Sequence, residues 1–291
     1  MSHIYKPLIV IVGPTASGKT KLAIEVAEKC SGEIICADSR TIYKGMDIGT
    51  AKPSLKDQAR VPHWGIDLVN PGEYFTVFDF KQYANKKISE IRSRGNVPII
   101  VGGTGLYIDS IIFDYRFGEK ADVMERAKLN RLSLTDLYDY CNYNSIILPE
   151  NEKNKRYVVR AIERNGQTTS RRDNPIEGCI IVGLKIDKEI LRQRIAIRAK
   201  QLFDDGVLDE ASKLGDKYGW GGEAMKGNVY RLASSYFNGD ISLDEMKSKN
   251  LILDWRLAKR QMTWLKRNQF IIWLSGEEAE PYLLAQLAKL D

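Results

Sequence analysis

This chain of 291 residues has few histidines, and its cysteines follow no familiar spacing. There are two histidines, and the cysteines stand at Cys30, Cys36, Cys141 and Cys179. These spacings match neither a zinc site nor the disulfide framework of a small secreted domain. The sequence therefore argues against a Cys/His metal centre, and it predicts reduced thiols, as in a cytoplasmic protein.

Long apolar runs are also missing. The apolar stretch at residues 8–12 is too short for the core of a signal peptide, and no stretch approaches the roughly 20 apolar residues of a membrane span. Internal repeats and low-complexity linkers are absent too. We expect a cytoplasmic monomer that makes no membrane contact.

The overall composition is that of an ordinary globular protein. Hydrophobic residues make up 43% of the chain and charged residues 28%, with a net charge of +6. A mildly basic balance of this kind permits a polyanionic partner without requiring one.

The most informative stretch is Gly13-Pro14-Thr15-Ala16-Ser17-Gly18-Lys19-Thr20, which fits the phosphate-loop pattern G-x-x-x-x-G-K-[ST] at every fixed position. An apolar strand pattern precedes it and helical spacing follows it. In that context the glycines let backbone N–H groups surround phosphate oxygens at a helix N-terminus. Lys19 supplies a positive charge, and the Thr20 hydroxyl can hold Mg²⁺.

Strand and helix patterns alternate along most of the chain. Strands are predicted at residues 8–12, 33–37, 65–69, 97–101, 179–186 and 270–274, with helices between them and a long helix at 242–266. This order predicts an α/β fold of the P-loop NTPase type, with a parallel sheet flanked by helices. Residues 1–114 and 176–291 form the predicted core, and residues 115–175 a helical insert.

Two further polar segments follow predicted strands. Asp38 ends the second strand, and Gly102-Gly103-Thr104 follows the strand at 97–101. Ligands of open α/β sheets bind at this carboxyl edge. Asp38 could there hold a metal, accept a proton from a nucleophile, or cap a turn, and the residues alone leave these alternatives open. The glycine pair could admit a ligand or form a simple turn.

Basic residues are grouped in three places. Arg194 and Arg198 lie one helical turn apart, and a second cluster contains Lys155, Arg156 and Arg160. The third comprises Lys259, Arg260, Lys266 and Arg267 around Trp264. Cations interleaved with an aromatic ring suit looped or single-stranded nucleic acid, although a solvated face and a core tryptophan are the alternatives.

The residues typical of an NTP-hydrolysing motor are missing. Asp38 is followed by serine, where such proteins place a catalytic glutamate or a residue that positions water. A phosphate loop is most naturally a nucleotide site, ATP included. Without the hydrolytic residues it fits better a transferase that holds a phosphorylated donor.

These motifs, taken together and in order, resemble the tRNA dimethylallyltransferase (tRNA isopentenyltransferase) family. The resemblance is carried by the phosphate loop, by Asp38-Ser39 with the run from Met46 to Pro53, by Val101-Gly102-Gly103-Thr104-Gly105-Leu106-Tyr107, and by Lys259-Arg260-Gln261-Met262-Thr263-Trp264-Leu265. It extends over nearly the whole chain. It implies transfer of a dimethylallyl group from dimethylallyl diphosphate to N6 of the adenosine 3′ to the anticodon, position 37.

The resemblance also implies roles for individual residues. It implies that Asp38 acts as the general base, that Thr104 and Arg198 are the other catalytic residues, and that Mg²⁺ would lie near Thr20. Diphosphate binding is implied for Gly13, Thr15, Ala16, Ser17, Gly18, Lys19 and Thr20. The tRNA anticodon stem-loop would contact Asp38, Ser39, Arg40, Thr41, Thr104, Arg126, Arg156, Arg160, Lys259, Arg260, Gln261, Trp264 and Lys266.

The chain departs from the family pattern at Val229, which replaces a glycine, and at Asp254-Trp255, which replaces a Thr-Arg pair. Both departures are expected to affect tRNA contacts and not the diphosphate site. Three alternatives remain: an adenylate isopentenyltransferase, a P-loop small-molecule kinase, and an RNA-binding protein without activity.

Overall fold

The computed structural model describes residues 6–117, 122–165 and 170–289. It divides into two compact units. The larger comprises Met1–Ile112 and Pro175–Asp291, and the smaller comprises Phe113–Asn174. One of the two histidines, His3, lies outside the described residues.

The larger unit contains a six-stranded sheet in which every neighbouring pair is parallel. Its strand order is β3-β2-β4-β1-β5-β6. The strands are β1 Leu8–Val12, β2 Gly32–Ala37, β3 His63–Trp64, β4 Val97–Gly102, β5 Cys179–Leu184 and β6 Ile272–Leu274. The α/β prediction with a parallel sheet is confirmed.

Helices flank this sheet. In the larger unit they are α1 Lys19–Cys30, α2 Leu55–Arg60, α3 Val77–Ser93, α4 Gly105–Ile112, α8 Lys188–Asp204, α9 Val207–Tyr218, α10 Asn228–Phe237, α11 Leu243–Leu265 and α12 Gly276–Leu287. The smaller unit has α5 Val123–Arg131, α6 Leu134–Tyr143 and α7 Lys155–Glu163. It buries its own apolar cluster, in which Leu137, Cys141 and Val158 are fully enclosed.

The topology brings three loops together at one edge. β1 lies between β4 and β5, and β4 lies between β2 and β1. The phosphate loop follows β1, Asp38 follows β2, and Gly103 and Thr104 follow β4. Because the strands are parallel, all three segments leave the sheet at the same carboxyl edge, where ligands of such folds bind.

The predicted strand at residues 65–69 is wrong. The paired residues are His63 and Trp64, and the chain then turns at Gly65, whose φ is +80°. A Cβ at Gly65 would lie 2.7 Å from the carbonyl oxygen of Cys36, so the chain passes close to β2 there. Val69 forms only an isolated bridge with Tyr43. The apolar residues of this short segment did not by themselves distinguish a strand from an extended loop.

No helix was predicted from the sequence after residue 274, where the structure has α12. This helix has a capping box in which Ser275 and Glu278 exchange hydrogen bonds, and Leu283 and Leu287 pack into the core cluster beneath the sheet. The Ser-x-x-Glu spacing is the signal that could have predicted it. In the part of the chain that the structure describes, no helix is both long and apolar enough to cross a membrane.

Candidate functional site

The phosphate loop has a backbone conformation that favours glycine at position 18. Gly18, the N-cap of α1, has a φ of +92°, which is accessible to glycine at little cost. The ammonium group of Lys19 donates to the carbonyl oxygen of Pro14, 3.1 Å away, and so lies over the loop. Burial, together with the nearby Arg198 guanidinium, lowers the pKa of Lys19 to about 8. A cation held without full solvation in this way is available to an anionic ligand.

Asp38 and Thr104 are held at the ends of neighbouring strands. The Thr104 hydroxyl accepts from the backbone N–H of Ser39 at 3.1 Å, and Oδ1 of Asp38 accepts from the N–H of Arg40 at 2.8 Å. A Cβ at Gly102 would lie 2.1 Å from the carbonyl oxygen of Ala37, so only glycine permits this approach of β4 to β2. The Asp38 carboxylate therefore caps its own turn and still lines the cavity.

Two arginines of α8 reach the phosphate loop. The Arg198 guanidinium donates to the Thr15 hydroxyl, and the Arg194 guanidinium donates to the carbonyl oxygen of Ser17 at 3.4 Å. Arg198 lines the cavity with the loop residues Thr15, Lys19 and Thr20. The sequence grouped these two arginines by their helical spacing, but the structure gives them different positions. Arg198 belongs to the cavity, and Arg194 supports the loop backbone.

Helix α11 delivers Gln261 to the same loop. Oε1 of Gln261 accepts from the backbone N–H of Thr15 at 2.8 Å. A Cβ at Gly103 would lie 2.4 Å from Nε2 of Gln261, so the second glycine of the pair leaves room for this amide. The structure places the Gln261 side chain against the phosphate loop, and the tRNA contact that the resemblance implies for this residue stays a prediction.

These groups line one cavity of about 340 Å³ in the larger unit. The predicted site residues among its lining are Thr15, Lys19, Thr20, Asp38, Ser39, Arg40, Thr41, Thr104, Arg198, Arg260 and Gln261. The cavity therefore combines cations and a phosphate loop with a carboxylate, a combination suited to an anionic group that leaves while a proton is removed nearby.

Two of the positions at which the chain departs from the family pattern belong to the cavity lining. Val229 and Asp254 both line it, together with the phosphate-loop residues. The expectation that these departures affect tRNA contacts and not the diphosphate site stays a prediction. Separation along the sequence concealed the proximity, since α10 and α11 bring these side chains back to the sheet edge.

Other predicted tRNA contacts lie elsewhere. Arg126, Arg156 and Arg160 belong to the smaller unit. The guanidinium groups of Arg126 and Arg160 pair there with the buried Glu163 carboxylate, while Arg156 is exposed. The ion pairs of Arg126 and Arg160 therefore stabilise that unit whether or not these residues also touch RNA.

On α11, Lys259 is exposed, as is Lys266 directly after the helix, and Lys259 lies over the Trp255 ring at 5.5 Å. Trp264 is anchored, since its indole N–H donates to Asp109 at 2.7 Å. A Cβ at Gly105 would lie only 2.0 Å from the Trp264 ring, so the indole packs tightly against α4. Trp264 thus connects α11 to α4, as the core alternative anticipated.

Sequence reasoning missed Glu210. Its carboxylate accepts from three successive backbone N–H groups, those of Asp47, Ile48 and Gly49, at 2.8, 2.8 and 2.9 Å. It also accepts from the buried Tyr230 hydroxyl at 2.6 Å. Glu210 thereby fixes the Met46–Pro53 run, part of which lines the cavity. Its position on α9 carries no motif, so no sequence signal indicated this role.

Replacing Glu210 by alanine should lower the free energy of unfolding by about 2 kcal/mol, because this run then has no acceptor for its charge-assisted hydrogen bonds. Urea denaturation measures the change. Glu210→Gln keeps an acceptor oxygen and should be less destabilised. Equal stability of the Glu210→Ala variant and the unaltered chain would contradict the role assigned to this carboxylate.

Comparison with known proteins agrees with the geometry. The family model described as IPP transferase matches residues 41–268. The chain belongs to the IPP transferase family. Among curated relatives, the tRNA dimethylallyltransferases of Staphylococcus saprophyticus and Bacillus pumilus are each 38% identical. Each match covers 94% of this chain, with 93% and 91% of the respective relative covered.

Solved structures of IPP transferase family proteins resemble the chain as well. The full-length tRNA isopentenylpyrophosphate transferase of Bacillus halodurans superposes with a TM-score of 0.76 at 32% identity, covering 98% of both chains. The Staphylococcus epidermidis enzyme gives 0.73 at 32% identity, covering 98% of this chain and all of that one. A eukaryotic dimethylallyltransferase studied while acting on tRNA gives 0.78 at 22% identity, over 93% and 74% of the two chains, and supports the fold.

Proposed function

We propose that this chain transfers a dimethylallyl group from dimethylallyl diphosphate to N6 of the adenosine at position 37 of tRNA, with release of diphosphate. The observation that carries the proposal is the cavity in which the phosphate loop and Arg198 share one space with Asp38 and Thr104. Relatives with 38% identity are named tRNA dimethylallyltransferases, and the proposal extends that activity to this chain.

Departure of diphosphate is assisted by positive charge. The bond from C1 of the allyl group to the bridging oxygen breaks, and negative charge develops on the diphosphate. Lys19, Arg198 and the backbone N–H groups of the loop lie where they can stabilise this charge. Such preorganised electrostatic stabilisation is usually the largest contribution to catalysis of this kind.

Asp38 removes a proton from the acceptor amine. An exocyclic amine of adenine is a weak nucleophile, so a carboxylate within hydrogen-bond reach assists formation of the N6–C1 bond. Oδ1 of Asp38 already accepts from the N–H of Arg40. A carboxylate has about four acceptor positions, which leaves capacity for the amine proton. Thr104, held by the N–H of Ser39, lies beside it in the cavity lining.

The residues present fit Mg²⁺. The Thr20 hydroxyl is an oxygen donor in the cavity lining, and in phosphate loops this hydroxyl holds Mg²⁺ together with phosphate oxygens of the substrate. No cluster of three histidine, cysteine or acidic side chains suited to a metal exists among the described residues. When bound, Mg²⁺ would neutralise charge on the leaving diphosphate.

The tRNA anticodon stem-loop is the proposed acceptor partner. The exposed Lys259, Arg260 and Lys266 at the end of α11 provide positive charge close to the cavity, and Arg156 provides it on the smaller unit. A nucleotide in a loop is unstacked at less cost than one in a duplex, which suits a base that must enter a cavity. We propose that the protein acts as a monomer in the cytoplasm.

The deciding experiment incubates the protein with labelled dimethylallyl diphosphate and either total tRNA or AMP, with Mg²⁺ present. Label in tRNA, recovered as N6-dimethylallyladenosine, supports the proposal. Label in AMP alone indicates the adenylate enzyme. A parallel reaction with γ-labelled ATP and no allylic donor tests the kinase alternative, and tRNA binding without transfer of label indicates an inactive RNA-binding protein.

Donor affinity should decrease as pH rises through about 8, the pKa of Lys19 in the free protein. A bound diphosphate favours the charged ammonium, so binding must take up a proton once Lys19 is neutral. We expect the Kd for dimethylallyl diphosphate to increase about tenfold from pH 7 to pH 9. Calorimetric titration in buffers of different ionisation enthalpy measures both affinity and proton uptake. Lys19→Met should bind weakly, with no such pH dependence.

Arg156→Ala should weaken tRNA binding and reduce its dependence on salt. Removing one cation that pairs with a phosphate lowers the slope of log K against log salt concentration by about 0.7 to 0.9. Filter binding of tRNA at several salt concentrations provides the slope. Lys56→Ala removes one charge from an exposed position on α2 and serves as the control. Identical slopes for the two variants would argue against an RNA contact at Arg156.

A further inference from the structure

The tip of the phosphate loop contains a residue in a conformation that its side chain disfavours. Ala16 has a φ of +62°, in the left-handed region, although it carries a Cβ. Gly18, two residues later, has a φ of +92° and adopts it at little cost because glycine has no Cβ. A residue other than glycine keeps such a backbone only where its surroundings hold it there. The sequence therefore supplies the required freedom at position 18 but not at position 16.

An apolar cluster from two later helices packs against Ala16. Its buried members are Leu191 and Ile195 on α8 and Ala258 on α11. Ala16 and Trp255 are both partly buried and pack against these three side chains. Leu191 and Ile195 are four residues apart on α8, and Trp255 and Ala258 are three apart on α11, so each pair shares one face of its helix. The two helices thus present one apolar surface to the loop tip.

Trp255 is the largest side chain of this cluster, and two cations hold its ring. The Arg192 guanidinium of α8 lies 5.2 Å from the ring centroid, and the Lys259 ammonium of α11 lies 5.5 Å from it. Cation–π contacts of this length are attractive, so the indole is oriented from both helices. Trp255 is half-buried and is not among the described residues that line the cavity. It therefore acts on the loop from outside the ligand space.

The backbone on either side of Ala16 is fixed by polar contacts. Oε1 of Gln261 accepts from the N–H of Thr15 at 2.8 Å, and the Arg194 guanidinium donates to the carbonyl oxygen of Ser17 at 3.4 Å. These contacts fix the neighbouring residues, while the apolar cluster packs against Ala16 between them. Without the indole, the cluster would lose its largest member, and Ala16 could relax toward a favoured conformation.

We propose that Trp255 is a positioning residue for the phosphate loop. It closes the apolar cluster against Ala16 and so keeps the left-handed backbone that directs the loop N–H groups toward a diphosphate. The inference rests on the proposed function for the identity of that ligand, and it adds to that function a residue that prepares the site. Trp255 takes no part in breaking the C1–O bond or in forming the N6–C1 bond.

The effect of Trp255 should appear in binding and not in the chemical step. If only a fraction of the free protein has the competent loop, the apparent Kd increases by the inverse of that fraction. Once diphosphate is bound, its contacts with the loop N–H groups hold the same backbone, so kcat should change little. Loss of support for one disfavoured backbone conformation should therefore raise the Kd about tenfold and change kcat by less than about twofold.

The test is a double-mutant cycle between Trp255 and Ala16, read by calorimetric titration of inorganic diphosphate and of dimethylallyl diphosphate. In the otherwise unaltered chain, Trp255→Ala should raise both Kd values about tenfold. In the Ala16→Gly background, the same replacement should raise them less than about twofold, because glycine takes the left-handed conformation without support. This glycine would not reverse a general loss of stability, so the cycle separates positioning of the loop from folding.

Leu253→Ala is the matched control. Leu253 is on the same helix but packs against a different cluster, the one that contains Met246. Its replacement should lower the melting temperature and leave the Kd for inorganic diphosphate unchanged. If Trp255→Ala does not fold, as judged by circular dichroism, Trp255→Leu keeps part of the apolar volume and takes its place in the cycle. Trp255→Phe, which keeps a ring in the cluster, should recover most of the affinity.

Three results would overturn the inference. An unchanged Kd in folded Trp255→Ala would make the indole a surface residue without effect on the loop. Equal increases in Kd in the two backgrounds would assign the effect to general stability. A large decrease in kcat with an unchanged Kd would place the effect of Trp255 at the chemical step. Binding of diphosphate without any transfer to tRNA by the unaltered chain would refute the proposed function alone, and the cycle would still decide the role of Trp255.

Discussion

Replacement of Asp38 by alanine is expected to lower the rate of dimethylallyl transfer about 100- to 10,000-fold. Without the carboxylate, the acceptor amine has no base within the cavity lining at the end of β2. Donor binding should be kept or slightly strengthened, because Asp38 lies close enough to Lys19 to influence its pKa and its removal eliminates negative charge near the diphosphate. Single-turnover transfer to tRNA and calorimetric titration of the donor measure the two effects separately.

The Asp38→Asn variant separates the role of Asp38 as a general base from its role in capping the turn. The amide oxygen can still accept from the N–H of Arg40, so the local backbone is preserved while the basic carboxylate is removed. We expect a loss of activity similar to that of the alanine variant. Near-normal turnover in Asp38→Asn would leave Asp38 a capping residue only.

Replacement of Arg198 by alanine should reduce kcat about 100- to 1,000-fold, the usual effect of removing one group that stabilises charge in the transition state. Arg198 contacts the Thr15 hydroxyl and lies beside Lys19, so it faces the leaving diphosphate. The effect on kcat should exceed the effect on the donor Kd, because charge on the leaving group increases as the C–O bond breaks. Steady-state kinetics with saturating tRNA determines both.

Arg194→Ala is the matched control for Arg198. Arg194 lies one turn earlier on α8 and donates to a backbone carbonyl of the loop, so its removal should reduce kcat by less than about tenfold. Arg198→Lys keeps the charge without the planar guanidinium and should recover only part of the activity. Equal losses in Arg194→Ala and Arg198→Ala would indicate general support of the loop by both residues.

Much of the fold was predictable because its signals are local. The phosphate-loop pattern, the buried strands at residues 8–12 and 97–101 and the long helix at 242–266 all carry strong periodicity, and the structure has an element at each place. The errors occurred where local pattern was ambiguous. Residues 65–69 contain the apolar Ile66, Leu68 and Val69, but the chain turns at Gly65. Helix α12 was indicated only by the capping spacing of Ser275 and Glu278.

The site was predictable in part. Residues within a motif, such as Lys19, Asp38 and Thr104, could be named from the sequence, and the structure places them around one cavity. Residues whose roles depend on contacts far along the chain could not be assigned. Glu210 reaches back to Asp47, and Gln261 reaches back to Thr15. No local periodicity encodes such pairings.

The sequence by itself determined that this protein has a phosphate loop between a strand and a helix, and that it resembles prenyl transfer enzymes acting on tRNA. Only the tertiary structure decided what accompanies that loop: Gln261 on its backbone, Arg198 on Thr15, and the carboxylate of Asp254 in the same cavity lining. The physical reason is that a phosphate loop is a local backbone conformation. The charge, polarity and length of the space in front of it depend on helices that the chain supplies much later.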